Sequence, residues 1–442
     1  MKIKKLVKYL IIIFGYFILF SGLFSGIIIL TGGNLIFSLY DLFFASIALY
    51  NVGILSIITL IMIRVHSKNH KYWLIPLSFG LFVIILNSLP LFSTPFIIYN
   101  GDSQFKHEFG NNYLNHISIN RKSQFKPYPV SLWELFNGVE SSKCNISYND
   151  KIYATRGNDS YTFDVYSPLS GSGPFPAIIL LHGGGWVRGD KGQLGIVNKY
   201  LASHGYVIFD IRYGLAKASM MGIQTPEFID ISEFESKIYN DSINVPQMVE
   251  NIGKFTDFLV AHKDSYHINI SSVYIMGRSA GAHLAGLFLG YNNTFKHIFN
   301  TAMKIRGIIL FYPPANITLM YNHFINDVIN TVFPDSVSSY FSYLFNGTPT
   351  TNKTSYDIYS PVYHVNNRSP PILIFHGMQD ELVPFEISVQ LQNRMHVFNR
   401  PCILVSFPFY GHATDFLYNG IGGQIAIYYL ERFLTYTLEN SV

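Results

Sequence analysis

The chain has 442 residues, with 31 Lys and Arg against 27 Asp and Glu and a formal net charge of +4. This length leaves room for one large domain and an additional region, or for two domains. Residues 1–72 hold seven basic residues and one acidic residue, which leaves 31 − 7 = 24 basic and 27 − 1 = 26 acidic residues in the remainder. Because the excess positive charge is confined to the N-terminal region, it does not indicate a nucleic-acid-binding surface.

Three uncharged, mostly apolar stretches occupy the first hundred residues. The predicted membrane spans cover about residues 9–30, 42–63 and 73–95, and the third is interrupted by Pro76, Asn87 and Pro90. Each is long enough to cross a hydrocarbon core ~30 Å thick, which takes about 20 helical residues. We therefore predict a membrane region over residues 1–99, a linker and N-terminal extension over 100–160, and a second domain over 161–442.

The basic residues indicate how the spans are oriented. Four lysines precede the first span and three basic residues separate the second from the third, whereas residues 31–40 contain none. The positive-inside rule then places the N-terminus in the cytoplasm and, after three crossings, the C-terminal domain on the lumenal or extracellular side. Nine N-x-S/T sequons lie in that domain and its extension and suggest a glycoprotein; they start at Asn145, Asn158, Asn240, Asn269, Asn292, Asn316, Asn346, Asn352 and Asn367.

The two cysteines of the chain are Cys144 and Cys402. An oxidising compartment permits one disulfide between them, and two free thiols are the alternative, because sequence does not give their separation.

From residue 161 onward, short apolar runs alternate with longer mixed segments, a pattern typical of a mostly parallel sheet with helical crossovers. The predicted strands are residues 161–166, 177–181, 207–211, 273–276, 307–311, 372–375 and 403–407. Two longer stretches, residues 214–245 and 315–356, break the alternation. They are predicted either to cap the site or to pack as loops and helices on the outside.

A G-x-S-x-G pentapeptide, Gly277 to Gly281, directly follows the predicted strand at 273–276 and precedes a helix-favouring segment. In this strand–turn–helix context Ser279 is predicted to be an exposed nucleophile, and the two glycines allow the tight turn. The alternative is an inert serine at a glycine-rich helix start.

A serine hydroxyl needs a base within hydrogen-bond reach, and the base needs an orienting carboxylate. Asp380 follows the predicted strand at 372–375, and His412 follows the next strand, so both come after Ser279 in the order that this fold uses. Four other residues are weaker candidates. Glu381 is predicted to face solvent, Asp415 to help cap the following helix, and His376 and His364 precede Asp380. His182 and His283 are predicted to be structural.

The run His182 to Trp186 reads H-G-G-G-W and follows the strand at 177–181. Its glycines allow main-chain amides to approach a developing oxyanion. Gly183, Gly184 and Gly185, with Gly184 and Gly185 preferred, and Ala280 just after the nucleophile are the predicted donors. The sequence contains no H-E-x-x-H motif and no paired C-x-x-C, so it predicts no metal site.

These motifs, together with Asp210 to Tyr213, resemble the α/β-hydrolase superfamily, and within it the esterase/lipase branch with an H-G-G-G-W loop. That branch comprises hormone-sensitive-lipase-like and carboxylesterase-like enzymes, including isoprenylcysteine methylesterases and kynurenine formamidases. The resemblance covers about residues 160–437 and implies an eight-stranded, mostly parallel sheet with flanking helices, a Ser/Asp/His triad and no cofactor. After Tyr213 the chain reads Gly-Leu-Ala-Lys where the hormone-sensitive-lipase-like pattern has Leu-Ala-Pro-Glu, so the substrate stays open.

The sequence as a whole predicts a membrane-anchored serine hydrolase that cleaves hydrophobic or lipid-like carboxylic esters, with the lipid bilayer as its second partner and no role for nucleic acid. Amide or formamide hydrolysis by the same residues is one alternative. A catalytically inactive adhesion or receptor module on a hydrolase scaffold is another. The oligomeric state is left open.

Overall fold

A computed structural model of the chain describes residues 2–32, 44–66, 72–139, 143–148, 151–217, 241–326 and 336–440. Three long helices come first: α1 (Lys2–Thr31), α2 (Ala48–His66) and α3 (Leu74–Phe109). By length and composition, all three are able to cross a membrane. These helices cover the first and third predicted spans and most of the second. Helix α2 begins at Ala48 and not at residue 42, and residues 42–43 lie outside the described part of the chain.

The three helices pack closely through small residues. A Cβ on Gly22 of α1 would lie 2.4 Å from a Leu55 methyl group of α2 and 2.8 Å from a Val83 methyl group of α3. Asn87, a polar residue within the third predicted span, donates a hydrogen bond to the Gly22 carbonyl at 2.8 Å and accepts one from the Ser25 hydroxyl at 2.8 Å. Small residues and interhelical hydrogen bonds of this kind hold apolar helices together in lipid.

Helix α3 continues without a break from the third predicted span into the rest of the protein. Both Pro90 and Pro95 lie inside it, and the predicted boundary at residue 99 falls in the middle of its run to Phe109. Residues 100–109, expected to begin a linker, are therefore helical. The C-terminal part of α3 packs on the last helix of the chain, where Phe105 stacks on Tyr429 with ring centroids 5.3 Å apart.

The remaining elements follow in chain order. They are α4 (Ile119–Lys122), α5 (Leu132–Asn137), β1 (Asn145–Ser147), β2 (Ile152–Arg156), β3 (Asp159–Ser167), β4 (Phe175–Leu181), α6 (Gly195–Ser203), β5 (Val207–Ile211), α7 (Val245–Ala261), β6 (Ile268–Arg278), α8 (Ala280–Gly286), β7 (Ile305–Phe311), α9 (Ile317–Ile325), α10 (Ser336–Phe345), α11 (Lys353–Ile358), β8 (Ile372–Gly377), α12 (Phe385–Val397), β9 (Cys402–Phe407) and α13 (Ile421–Glu439).

Within the described residues, nine strands form one sheet in the order β1-β3-β5-β4-β6-β7-β8-β9, with β2 paired to β3. The six strands from β4 to β9 are parallel, and β3 pairs antiparallel with β5, β1 and β2. The seven predicted strands are confirmed as β3 to β9. The implied count of eight becomes nine because β1 and β2, short and rich in polar residues, lie in the stretch predicted as an extension.

Both faces of the sheet are covered, which is why its strands read as continuous apolar runs. Along β4, Ile179 and Leu181 join a core with α7 and α8, whereas Ile178 and Leu180 join a second core with α6, α13 and the end of α3. The α/β class with a mostly parallel sheet, flanking helices and three preceding apolar helices is confirmed.

Cys144 and Cys402 are both free. Cys144 precedes β1 and Cys402 begins β9, and six strands separate these two strands in the sheet. Neighbouring strands lie about 4.8 Å apart, so the two thiols are far beyond disulfide reach.

The second predicted cap segment, residues 315–356, contains α9, α10 and the start of α11. Most of the first, residues 218–240, lies outside the part of the chain that the structure describes.

Candidate active site

Ser279 lies on a sharp turn between β6 and α8. Its φ of +49° and ψ of −119° are strained for a residue with a side chain. Two close backbone contacts surround the turn, because a Cβ on Gly277 would lie 2.2 Å from the Gly281 carbonyl oxygen and one on Gly281 would lie 2.2 Å from the Leu181 carbonyl oxygen. Only glycine fits these two positions, which explains the G-x-S-x-G spacing physically.

The loops after β8 and β9 bring two more side chains to Ser279. His412 Nε2 lies 3.0 Å from Ser279 Oγ, and His412 Nδ1 lies 2.7 Å from Asp380 Oδ2. The three residues predicted to form the catalytic group, 101 and 32 positions apart in sequence, thus make one continuous hydrogen-bonded chain. Such a chain can move a proton from the serine hydroxyl to the imidazole.

Asp380 is buried and held by four donors. Its Oδ1 atom accepts hydrogen bonds from the backbone amides of Leu382 at 2.9 Å and Val383 at 2.8 Å, and Oδ2 faces both His412 and His376. Burial by itself raises the pKa of this carboxyl, but the two histidines outweigh burial, so the pKa of Asp380 lies below its ordinary value. The carboxylate is therefore ionised and able to stabilise a protonated His412.

His376, which the sequence favours only as a weaker candidate for the base, belongs to the site. It was considered only as a base, and it does not contact Ser279. Its Nε2 atom lies 3.1 Å from Asp380 Oδ2 and 2.9 Å from the Val383 carbonyl oxygen, and its Nδ1 atom lies 2.6 Å from the Ser388 hydroxyl. One signal pointed to it: a histidine at the end of an otherwise apolar buried strand, four residues before the acid.

The glycine loop, residues 182–186, contains three of the predicted amide donors. The Gly183 amide donates to Gln193 Oε1 at 2.9 Å, so it is already occupied, and its predicted role is corrected. Among the described residues, the amides of Gly184, Gly185 and Ala280 have no such acceptor. Gly184 has a φ of +128°, and a Cβ there would lie 2.0 Å from the Arg188 carbonyl oxygen. The loop geometry thus requires glycine at this position.

Buried aromatic and histidine side chains hold the glycine loop in place. The Tyr213 hydroxyl donates to the His182 carbonyl at 2.8 Å, and the two rings stack with centroids 4.3 Å apart. Trp186 Nε1 donates to His283 Nδ1 at 3.2 Å, and His283 Nε2 bonds the Tyr359 carbonyl at 2.6 Å. Burial lowers the pKa of both His182 and His283 to about 4, so both rings are neutral near pH 7.

The second cap segment contacts both sides of the site. Tyr340 of α10 donates to the Gly185 carbonyl, and His323 of α9 bonds the Glu381 carbonyl at 2.8 Å. Helix α10 thus bonds to the glycine loop, and α9 bonds to the loop after β8 that carries Asp380, which we call the acid loop.

Asp415 has a role other than the predicted helix cap. Helix α13 begins after Gly420 and has no side-chain cap. Asp415 Oδ1 instead accepts hydrogen bonds from Arg278 Nη2 at 2.9 Å and from the Tyr312 hydroxyl at 3.0 Å. Arg278 precedes Ser279 and Asp415 follows His412 by three positions, so this buried ion pair links the nucleophile turn to the histidine loop.

In the ranges that the structure describes, no three His, Cys, Asp or Glu side chains are arranged to hold a metal ion.

A family model described as BD-FAE matches residues 163–228 and 235–395, which is more than half of the chain. The chain belongs to the BD-FAE family. This membership confirms the resemblance to the esterase branch of the α/β-hydrolases.

Several curated proteins are similar to this BD-FAE family member. A probable carboxylic ester hydrolase, LipM of Mycobacterium tuberculosis, is 24% identical over 268 residues, covering 60% of this chain and 54% of its own. A probable isoprenylcysteine alpha-carbonyl methylesterase of Arabidopsis thaliana, ICMEL1, is 20% identical over 59% of this chain and 50% of its own. A kynurenine formamidase of Danio rerio is 27% identical over 33% of this chain and 40% of its own. The BD-FAE chain thus spans about half the length of these relatives.

Among solved structures, the apo form of Thermogutta terrifontis esterase 2 matches with a TM-score of 0.46 and 19% identity, covering 67% of this chain and 92% of that one.

Proposed function

We propose that this protein is a membrane-anchored serine hydrolase that cleaves carboxylic esters through an acyl-enzyme, with Ser279 as nucleophile, His412 as base and Asp380 as orienting acid. The observation that carries the proposal is the position of His412, whose two ring nitrogens lie 3.0 Å from Ser279 Oγ and 2.7 Å from Asp380 Oδ2. Three helices able to cross a membrane supply the anchor.

In the first half-reaction Ser279 Oγ forms a bond to the ester carbonyl carbon while His412 Nε2 takes the hydroxyl proton. The tetrahedral intermediate then collapses, the bond from carbon to the alcohol oxygen breaks, and His412 gives its proton to the leaving alcohol. In the second half-reaction His412 deprotonates a water molecule, the water oxygen bonds to the acyl carbon, and the bond to Ser279 Oγ breaks as His412 returns the proton to that oxygen. The products are a carboxylic acid and an alcohol.

The oxyanion of both intermediates is stabilised by the main-chain amides of Gly184, Gly185 and Ala280. These amides have no internal acceptor among the described residues, so they keep their hydrogen-bonding capacity for the substrate. Losing one donor of this kind costs about 3 kcal/mol of transition-state stabilisation.

Amide or formamide hydrolysis is a second candidate, because the same residues would serve it and one similar protein is a kynurenine formamidase. Turnover of a matched ester and amide that share one acyl group separates the two. We propose the ester because two relatives that match 60% and 59% of this chain are named as ester hydrolases, whereas the formamidase matches 33% of it.

The catalytic domain is proposed to lie on the lumenal or extracellular side, as the basic residues around the spans suggest. A hydrophobic substrate is proposed because the second cap segment, which contacts the glycine loop, is rich in aromatic side chains; Phe341 and Phe345 of α10 are buried there.

The test uses the full-length protein in detergent, a short p-nitrophenyl ester and a fluorophosphonate probe. We expect the wild-type protein to hydrolyse the ester and to be labelled by the probe, and Ser279→Ala to lose both. Ser203→Ala, at a hydroxyl bonded to the Tyr200 carbonyl and remote from the site, is the matched control and should keep both. A folded wild-type protein that neither turns over esters nor takes the label would instead support the inactive adhesion or receptor module.

A further inference from the structure

The loop that carries the acid contacts the end of the first membrane helix. The Leu30 carbonyl of α1 accepts a hydrogen bond from Gln379 Nε2 at 2.8 Å. A Cβ on Gly32 would lie 2.9 Å from the Gln379 carbonyl oxygen and 3.3 Å from a Glu381 carboxylate oxygen. Since Gln379 and Glu381 flank Asp380 in sequence, α1 ends directly against the acid loop.

The loop that carries His412 contacts α3 and the segment just before α2. Ser93 of α3 donates a hydrogen bond to the Pro408 carbonyl at 3.1 Å. Just before α2, the Ser46 carbonyl oxygen would lie 3.4 Å from a Cβ on Gly420. Pro408 and Gly420 lie on either side of His412, so this loop rests on the same end of the helix bundle as the acid loop.

The helix positions involved mark one membrane surface. Residues 30–32 end the first apolar stretch, residues 46–48 lead into the second helix, and residues 93–95 end the third predicted span. Each stretch has about the 20 residues that a hydrocarbon core requires, so these positions lie together at the surface on the side of the hydrolase domain. The contacts place the rim of the sheet that carries the candidate triad at this surface.

The short helix α5, in the extension that precedes residue 161, lies at the same level. The side chains of Leu132, Trp133 and Phe136 in α5 are 70%, 74% and 67% exposed. The Phe136 ring lies 6.0 Å from the ring of Tyr50 in α2, and the Tyr50 hydroxyl bonds the Leu135 carbonyl at 2.5 Å. Large exposed apolar side chains mark interaction surfaces, and aromatic residues favour the membrane–water interface.

The apolar surface is continuous from the membrane helices to α5. A groove of about 690 Å³ lies between α2, α3 and α5, and Leu49, Leu91, Pro95, Ile98, Leu132 and Leu135 are among its lining residues. The lining comes from the membrane helices and from α5 and is mostly apolar. An apolar lining favours hydrocarbon chains over water as the surroundings of the groove.

We infer that the catalytic centre takes its ester from the adjoining leaflet of the bilayer, with Leu132, Trp133 and Phe136 seated in the interfacial layer of that leaflet. The inference rests on the proposed serine-hydrolase function. The substrate class is a long-chain ester whose hydrocarbon tail stays in the membrane while its carbonyl group reaches Ser279 at the surface.

The test compares two ways of presenting one water-insoluble ester to the full-length protein. The protein is reconstituted in vesicles of a dialkyl ether phosphatidylcholine, which offers no ester of its own. A long-chain probe, 4-methylumbelliferyl palmitate, is placed either in the same vesicles or in separate protein-free vesicles. We expect hydrolysis to be at least about ten-fold faster in the same bilayer. Equal rates in the two arrangements, or no palmitate hydrolysis in either, would overturn the inference.

Soluble p-nitrophenyl acetate, measured in parallel, separates this inference from the function on which it rests. If neither acetate nor palmitate is hydrolysed, the proposed function fails. If acetate is hydrolysed but palmitate is not hydrolysed faster in the same bilayer, only the leaflet inference fails.

Variants of α5 give a second measurement. The double variant Trp133→Ser/Phe136→Ser should lower the ratio of same-bilayer palmitate rate to acetate rate several-fold. Leu169→Ser is the matched control, since Leu169 is also exposed, at 56%, but follows β3, whose antiparallel direction carries its end to the opposite rim of the sheet. An unchanged ratio in the α5 variant contradicts the interfacial position of α5.

Discussion

His376 Nε2 lies 3.1 Å from Asp380 Oδ2, the same carboxylate oxygen that faces His412 Nδ1 at 2.7 Å. His376 Nε2 also faces the Val383 carbonyl oxygen, so this nitrogen carries the hydrogen, and the Ser388 hydroxyl donates to Nδ1. His376 is completely buried. It therefore holds the acid through a second contact to the oxygen that faces His412.

We predict that His376→Ala lowers kcat about 10²-fold with little change in KM, because a misplaced acid no longer orients His412. His364 is a matched control: it is also buried, but its Nε2 atom bonds the Ile358 carbonyl instead. His364→Ala should lose stability while keeping kcat per folded molecule. Equal kcat values for the two variants, measured on a short ester with the folded fraction determined, would show that His376 does not position the acid.

The buried pair of Arg278 and Asp415 supports a prediction about stability. Asp415→Ala leaves the Arg278 guanidinium buried without its carboxylate, and breaking such a pair costs about 3–5 kcal/mol in free energy of unfolding. The double variant Arg278→Met/Asp415→Leu should be more stable than Asp415→Ala, because no buried charge remains.

Denaturant unfolding in detergent measures both variants of this pair. Glu250→Ala serves as the control, since it breaks the exposed pair of Glu250 with Arg156 at 2.7 Å and should change the free energy of unfolding by less than about 1 kcal/mol. A loss as small for Asp415→Ala as for Glu250→Ala would refute the structural role of the buried pair.

The glycine loop gives a steric prediction. Gly184→Ala places a Cβ 2.0 Å from the Arg188 carbonyl oxygen at a φ of +128°, so the loop must move and the Gly184 and Gly185 amides lose their position. We expect kcat to fall at least about 10²-fold, the effect of losing an oxyanion donor. Gly192→Ala is the comparison, because Gly192 also has a positive φ, +89°, but nothing lies within 4 Å of its Cβ. It should destabilise the fold modestly and leave kcat near that of the wild type.

The buried neutral histidines make stability depend on pH. Burial lowers the pKa of His283 from 6.5 to about 4. A lowered pKa in the folded state means that the contribution is present above pH 6.5 and is lost as the pH falls toward 4. His283→Gln keeps an acceptor for Trp186 and a donor for the Tyr359 carbonyl without a titrating ring.

The free energy of unfolding of His283→Gln should therefore fall less steeply than that of the wild type between pH 6.5 and 4. Exposed His116, replaced by Gln, should leave the slope unchanged. Identical slopes for the wild type and His283→Gln would rule out this source of acid sensitivity.

The proposed lumenal or extracellular position of the domain predicts which sequons are modified. Asn292 is exposed and able to accept a glycan, whereas Asn316 is buried, caps α9 and donates to Gln390. In cells that glycosylate, Asn292→Gln should remove one step of the glycosidase-sensitive gel shift and Asn316→Gln none. Absence of any shift in the wild-type protein would place the domain in the cytoplasm.

The sequence predicted the sheet well because its strands are buried on both faces. A short, wholly apolar run such as Ile178–Leu181 is typical of a strand that is buried on both faces of a sheet. Helical crossovers between such runs imply that the strands are parallel. The nucleophile turn was equally predictable, because its steric demands at Gly277 and Gly281 leave a local pattern. The order of Ser279, Asp380 and His412 along the chain then identified the residues that the structure brings together.

The rest depended on contacts that leave no local pattern. Asp415 is predicted as a helix cap because its partner Arg278 is 137 positions away and leaves no local signal. Gly183 is predicted as a donor because the sequence does not show that its amide bonds to Gln193. The edge strands β1 and β2 are short and polar, and edge strands of this kind read as loops. The sequence does not predict that α3 extends to Phe109, because prolines and polar residues usually end a helix. The extension is stabilised by its packing on α13.

The unbroken course of α3 has a practical consequence for recombinant work. A fragment that starts at residue 161, cut where the sequence changes character, would lack the Phe105 and Phe109 rings that stack on Tyr429 and Tyr436. That surface of α13 would face water and drive aggregation, and the sheet would also lack β1 and β2. A soluble fragment should begin near Phe96, so that about the last four turns of the helix stay with the domain that they cover.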